Sequence, residues 1–154
     1  MNSRFLLYAF LFSVFSGLLL AGEGQPGAHR SESPDGAAVS FANLADGDVL
    51  PPQFLVEFSI TGMGIAPAGV KIDNTGHHHL LIDVVELPDF NQPLPASDNI
   101  RHFGKGQSET ELKLPEGQHS LQLLLADHAH IPHNPPIMSE VIVIVVSVDA
   151  PPPD

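Results

Sequence analysis

The stretch QFLVEFSI, residues 53–60, alternates apolar and polar side chains and decides the fold class. Phe54, Val56, Phe58 and Ile60 share one face of an extended chain, and the intervening residues share the other. A period of two over eight residues is typical of a β-strand that is buried on one side. The stretch therefore predicts that β-strands form at least part of the domain.

Similar short runs follow one another along the chain, with most of the 15 prolines and 13 glycines between them. No segment beyond the N-terminal apolar run shows helical periodicity. This pattern predicts an all-β protein with a single immunoglobulin-like antiparallel β-sandwich, and a small barrel is the alternative. The other predicted strands are VSFANL (39–44), VKI (70–72), HHLLIDVV (78–85), TELKL (110–114), HSLQLLLA (119–126) and SEVIVIVVSV (139–148).

The sequence makes a specific prediction for one strand connection and another for the last strand. TELKL and HSLQLLLA should form a hairpin across the turn PEGQ. The last run is apolar at both odd and even positions, which predicts a central or near-central strand at 140–148. Such a strand is covered on both faces or lies at an interface.

The two ends of the chain differ in composition from the predicted domain at 38–149. Residues 1–21 combine Arg4 with a long apolar run, which is typical of a signal peptide or of an uncleaved membrane anchor. Residues 22–37 are rich in Gly, Pro and Ser and are expected to be a flexible linker. The tail 150–154 is expected to be disordered. We therefore expect a periplasmic or secreted protein, membrane-anchored if the first segment is retained.

Composition excludes several function classes. The chain has no cysteine, so disulfides, thiol catalysis and blue-copper sites are ruled out. A formal net charge of −12 makes nucleic acid an unsuitable partner. No nucleophile–base pair or carboxylate dyad is apparent, which favours a binding module over an enzyme.

Eight of the nine histidines lie within residues 77–133, and imidazole is the commonest protein ligand for transition metals. His77 and His79 stand two residues apart on one side of a predicted strand, so both rings can reach one ion. His128 and His130 repeat this spacing in the loop DHAHIPHNPP.

Topology predicts which histidines meet. The third and sixth strands of an immunoglobulin-like sandwich are antiparallel neighbours, so the start of 78–85 should lie beside the end of 119–126. The triple histidine would then face the loop 127–136, which prolines stiffen. Neutral imidazoles and one carboxylate favour Zn²⁺ or Cu²⁺ over Ca²⁺. The predicted ligands are His77, His79, His128, His130 and His133, with Asp127 as a ligand or an orienting group.

Three further histidines have structural roles or form a second site. His78 begins the apolar core face of its strand, where a hydrogen-bonded core residue is expected. His119 follows a turn and starts a leucine stripe, a place where a ring often hydrogen-bonds a corner of a sandwich. His102 is either a ligand or a loop-ordering residue. The expected topology places His102 and His119 at the end opposite the triple histidine.

Several long motifs resemble a bacterial family of exported proteins known as domain of unknown function number 4399. The resemblance covers about residues 39–148 and implies a secreted or periplasmic β-domain without an established activity. The matching stretches are FANLADGDVL, the GM of TGMG, HHHLLID, HFGKGQSET and LPEGQHSLQLLLADHAHIPHNPPIMSE.

Two functions follow as expectations. The first is an exported, non-catalytic module that binds zinc, copper or a small ligand through a histidine-rich end of the sandwich. The alternative is a structural or adhesion domain of the cell envelope, with an envelope protein as partner and histidines that only order loops. The oligomeric state is left open by the sequence.

Overall fold

The computed structural model describes residues 29–151, and all of its regular structure is β. No helix among these residues has the length and apolar character needed to cross a membrane. The predicted signal segment, residues 22–28 of the predicted linker and the last three residues of the tail lie outside the described part. The strands are β1 (Ala38–Phe41), β2 (Val49–Leu50), β3 (Gln53–Thr61), β4 (Gly64–Ile65), β5 (Thr75–Ile82), β6 (Ile100–His102), β7 (Glu109–Lys113), β8 (Gly117–Ala126), β9 (Pro132–Met138) and β10 (Ile142–Val146).

The smaller sheet has the order β1-β3-β7, with both pairs antiparallel. Strand β3 is the alternating stretch from which the fold class was predicted. Phe54, Val56 and Phe58 are buried on its inner face, whereas Leu55 is 44% exposed on the outer face. The period of two in the sequence therefore corresponds to the inner and outer faces of this sheet.

The larger sheet has the order β2-β10-β8-β5-β4, with β6 also paired to β5 and β9 to β8. The pairs β10–β8 and β8–β5 are antiparallel, and β2 runs parallel to β10. One core cluster fills the space between the two sheets and includes Phe54, Leu80, Leu123 and Ile144. The all-β fold is confirmed, and its layers are those of an immunoglobulin-like sandwich.

Three expectations about strands are wrong. The stretch 70–72 forms no strand, and the parallel partner at this edge of β5 is β4. Strands β7 and β8 form no hairpin, because β7 pairs with β3 in one sheet and β8 lies in the other. The turn between them crosses the sandwich instead. Part of the predicted loop 127–136 forms β9.

The outer face of the last strand, β10, is partly exposed to solvent. Ile142, Ile144 and Val146 are buried against the core, whereas Val145 is 38% exposed. Only β2, two residues long, separates β10 from the edge of the sheet. Of the two alternatives predicted for β10, cover on both faces by the described residues is wrong, and a position at an interface stays a prediction.

Strands β5 and β8, by contrast, are buried on both faces at their centre. A second apolar cluster lies on the outer side of the larger sheet and joins Leu81 and Leu124 to Leu94 and Ile100. The chain between β5 and β6 supplies Leu94 and covers this side. Outward-facing residues of β5 are therefore sheltered from solvent, which the alternation pattern alone does not predict.

The N-terminal part of the described chain pairs with the region after β8. Glu32 forms a parallel bridge with Asn134, and the backbone amide of Asn134 donates to the carbonyl of Ser31 over 2.8 Å. Arg30 Nε donates to the carbonyl of Pro132 over 2.9 Å. These residues belong to the segment whose composition predicts a linker, and their contacts tie it to the domain.

Candidate metal centre

Strand β5 supplies two buried imidazoles on the outer side of the larger sheet. His77 and His79 are 0% and 1% exposed, and they stand on the face opposite Leu80 of the core cluster. Their ring centres are 4.8 Å apart. The antiparallel pairing places His77 opposite Ala126, at the end of β8. The predicted arrangement, in which the triple histidine meets the start of the following loop, is present.

His102 joins this pair through β6. The register of β5 and β6 places His102 directly opposite His79, and the two ring centres are 5.2 Å apart. The expectation that His102 lies at the far end of the domain is therefore wrong. Gly104 makes room for the ring, because a Cβ at that position would lie 2.2 Å from Cε1 of His102.

The fourth imidazole, His130, comes from a turn organised by Asp127. Oδ1 of Asp127 accepts the amides of Ala129 and Ile131 over 2.9 and 3.1 Å. The amide of His130 donates to the carbonyl of Asp127 over 2.9 Å, and His130 has a left-handed φ of 66°. This conformation is uncommon for a residue other than glycine, and here the turn holds it. Ser31 in turn donates to Oδ2 of Asp127 over 2.7 Å.

These four residues, the histidine cluster, form a compact group. Their six ring-centre distances all lie between 4.7 and 6.1 Å, and five of them are at most 5.2 Å. Potential ligand nitrogens of His77, His79 and His102 lie within 4.8 Å of one another. The Nε2 atoms of His102 and His130 are 3.1 Å apart.

This spacing suits a tetrahedral ion. With a metal–nitrogen bond of about 2.0–2.1 Å and roughly 1.1 Å from the nitrogen to the ring centre, four imidazoles place their ring centres about 5.2 Å apart. The observed distances scatter around that value. The cluster could therefore hold a metal ion after small ring rotations.

Burial keeps the rings of His77, His79 and His102 neutral. Desolvation, with smaller contributions from neighbouring histidines, lowers the pKa of His77 to about 4 and that of His79 to about 3. Burial and the neighbouring His130 also lower the pKa of His102. Both ring nitrogens of His77 and Nδ1 of His79 are buried without a hydrogen-bond partner among the described residues. Neutral imidazoles with free lone pairs are the form that coordinates metals.

A family model described as "Domain of unknown function (DUF4399)" matches residues 56–147. The chain belongs to the DUF4399 family. The match covers all four histidines of the cluster, and it begins after the motif FANLADGDVL. No curated protein and no solved structure shows significant similarity to the chain. The family description names no activity. The geometry of the DUF4399 domain itself is therefore the basis for its function.

Two histidines predicted as ligands lie outside the cluster. His128 and His133 line a separate polar cavity of about 300 Å³, together with Lys71 and Asp73. His133 is 2% exposed, and burial, above all, lowers its pKa. The structure thus brings His130 to the strand histidines and directs its two loop neighbours elsewhere.

Asp127 lies close to the cluster but serves the loop. Burial alone would raise the pKa of its carboxyl group. Hydrogen bonds from Ser31 and from the amides of Ile131 and Ala129 outweigh that effect and lower the pKa. The ionised carboxylate is therefore occupied with shaping the turn, and its role toward the cluster is to orient His130.

The two remaining histidines lie apart from the cluster. His78 faces the core as predicted, where its ring centre is 5.1 Å from that of Phe58. The expected hydrogen bond of His78 is wrong, because neither ring nitrogen has a partner among the described residues. His119 shares a 2.7 Å contact between Nδ1 and Oδ2 of Asp83, and its Nε2 is 3.0 Å from the carbonyl oxygen of Pro115. His119 therefore anchors the turn after β5 at the end away from His77.

A small cleft opens beside the histidine cluster. It has a volume of about 190 Å³ and is lined by three of the cluster histidines and four residues of the chain between β5 and β6. The members of this lining are His79, His102, His130, Pro93, Leu94, Pro95 and Ala96. His102 is exposed and His130 is partly buried, so the cluster has one side toward solvent.

Proposed function

We propose that this DUF4399 domain is an exported, non-catalytic module that binds one zinc ion in the histidine cluster. The observation that carries the proposal is the near-tetrahedral grouping of four imidazoles, with ring centres 4.7 to 6.1 Å apart. Three of the four rings come from paired strands, which fix their positions before an ion arrives.

The energetics of the free site support the same proposal. A buried polar atom without a hydrogen bond costs about 1–3 kcal/mol, and such atoms are normally rare in folded proteins. His77 has two and His79 has one among the described residues. A bound cation would take one nitrogen from each ring, so it offsets part of a cost that the fold otherwise carries.

Geometry favours zinc over Cu²⁺. Zinc accepts a tetrahedral set of nitrogen ligands, whereas Cu²⁺ prefers a square-planar or tetragonal arrangement. His77 and His79 are fixed on one strand, and His102 is fixed opposite His79 by strand pairing. A square-planar arrangement fits this grouping less well than a tetrahedral one, which works against the intrinsically higher affinity of Cu²⁺ for nitrogen donors.

Export is proposed from the N-terminal sequence and from the family resemblance. Residues 1–21 have the charge and the apolar run of a signal segment. Cysteine thiolates are open to oxidation outside the cytoplasm, whereas an imidazole site in a chain without cysteine is not exposed to that reaction. The competing function is a structural or adhesion domain, in which the cluster would only pack the loop 127–131 against β5.

Calorimetric zinc titration of untagged, metal-free protein tests the proposal. We expect one ion per chain with a Kd below about 1 µM, which corresponds to roughly −8 kcal/mol. His130→Ala should weaken binding at least roughly a hundredfold, since loss of even an outer-shell partner costs about 10- to 100-fold.

His128→Ala is the matched control, because His128 belongs to the same loop but lines the separate cavity. It should leave the zinc affinity unchanged. Failure of the wild-type protein to bind zinc, or equal effects of the two substitutions, would favour the structural function instead.

A further inference from the structure

The four cluster histidines are not held equally. His77 and His79 lie within β5, and His102 is in β6, which pairs with β5. His130 comes from a loop and is partly exposed. Its ring centre is 6.1 Å from that of His79, the longest of the six distances in the cluster. One coordination position is therefore supplied by a side chain that can be displaced without disturbing a strand.

The cleft lies at that position. Its walls include the rings of His79, His102 and His130, so a molecule in the cleft is in reach of an ion held by them. Pro93 and Pro95 also line the cleft, and their fixed φ angles stiffen that part of the chain. The cleft volume of about 190 Å³ suits a single aromatic ring or a small side chain.

We propose that the domain passes its ion to an incoming nitrogen-donor ligand through this cleft, by direct exchange at His130. This inference rests on the proposed zinc site. In the exchange, the lone pair of the incoming nitrogen forms a bond to zinc, and the bond from zinc to the imidazole of His130 breaks. Further donor atoms of the acceptor then replace His102, His79 and His77 in the same way, one bond to zinc forming as one breaks. Zinc stays divalent, so no electron is transferred, and a proton that a phenol donor of the acceptor loses on binding zinc passes to solvent.

Exchange through the cleft distinguishes a site that hands on its zinc from a closed structural zinc site. The rings of His77 and His79 are buried, so among the described residues the cleft gives the direct approach to the cluster. A closed structural site would release zinc only when its own ligands dissociate, at a rate that does not depend on the acceptor concentration. A site open through the cleft would release zinc faster as the acceptor becomes more concentrated.

Stopped-flow transfer of zinc from the loaded protein to pyridylazoresorcinol, a chelator with a pyridine nitrogen, tests the inference. The transfer rate should rise in proportion to chelator concentration. Ala96→Trp, which fills the cleft from its exposed wall, should lower that slope roughly tenfold, a barrier increase of about 1.4 kcal/mol. The equilibrium zinc affinity should stay unchanged, because Ala96 supplies no ligand.

Val85→Trp is the matched control, since Val85 lies in the same connection, is 96% exposed and does not line the cleft. Its slope should equal that of the wild type. A rate independent of chelator concentration, or equal slopes for the two tryptophan variants, would overturn this inference alone. Failure of the wild-type protein to take up zinc would overturn the metal site together with it.

Free imidazole gives a second measurement. In His130→Ala, added imidazole should occupy the vacated position and restore zinc affinity, whereas in His77→Ala it should not, because His77 is 0% exposed and does not line the cleft. Absence of rescue in His130→Ala would contradict access to this position from the cleft.

Discussion

Acidification of the metal-free protein from about pH 7.5 to about pH 5.5 should remove roughly 4 kcal/mol of its stability. Burial, above all, lowers the pKa of His77 and His78 to about 4 and that of His79 to about 3. At about pH 5.5 these rings stay neutral in the folded protein, whereas roughly nine-tenths of them are protonated in the unfolded chain. Each ring then contributes roughly 1–2 kcal/mol to the loss.

The loss of stability on acidification follows from the difference in proton binding between the unfolded and the folded protein. The unfolded chain binds more protons than the folded protein between the ordinary histidine pKa of 6.5 and the lowered values. Stability supplied by these neutral rings is therefore complete above about pH 6.5 and is lost as the pH falls. His119 acts in the opposite direction, because hydrogen bonds to Asp83 and Pro115 and the Asp83 charge outweigh the burial that would lower its pKa.

Urea denaturation at the two pH values, with a chelator present, measures the loss. His78→Leu is the informative variant, because His78 faces the core and is outside the histidine cluster. It should lose roughly 1–2 kcal/mol less stability than the wild type over the same interval, and the contributions of the other histidines, including His119, cancel in that difference. A wild-type loss below about 1 kcal/mol, or equal losses in both proteins, would refute the assignment of the acid sensitivity to these buried rings.

Three further perturbations separate site geometry from fold. Gly104→Ala should weaken zinc binding at least roughly tenfold in calorimetry, since its Cβ occupies the space of the His102 ring; unchanged affinity would argue against His102 as a ligand. Ser31→Ala should weaken zinc binding by a smaller factor by loosening the turn that carries His130, and restoration by Ser31→Thr would separate this from general destabilisation. His119→Gln should cost more stability in urea denaturation near pH 6 than near pH 9. The raised pKa of His119 stabilises the fold at pH values below the ordinary histidine pKa, and this stabilisation is lost as the ring deprotonates. Equal costs at the two pH values would contradict the raised pKa.

The strand pattern carried most of the fold information. The period of two in β3 and β5 predicted which faces meet in the core, and the antiparallel pairing of β5 with β8 followed from the expected sandwich topology. The turn between β7 and β8 was misread, because a short turn between two strands can close a hairpin or cross between sheets. Local sequence does not distinguish these two outcomes.

The ligand set was harder to predict than its location. The spacing in the loop predicted both His128 and His130 as ligands. Hydrogen bonds to Asp127 and the left-handed φ of His130 decide which of the two rings reaches the cluster. His102 was placed at the wrong end, because β6 has only three residues and no alternation to reveal its pairing with β5. The glycine two residues later was a usable signal, since it leaves room for a ring to fold back.

X-ray absorption at the zinc edge of the loaded protein tests the central claim most directly. A tetrahedral shell of four nitrogens at about 2.0–2.1 Å, with the outer scattering of imidazole rings, is the expected result. The same measurement on His128→Ala should be identical, and on His130→Ala it should show one imidazole fewer. A shell dominated by oxygen, or one with fewer than three imidazoles in the wild-type protein, would contradict a zinc site formed by His77, His79, His102 and His130.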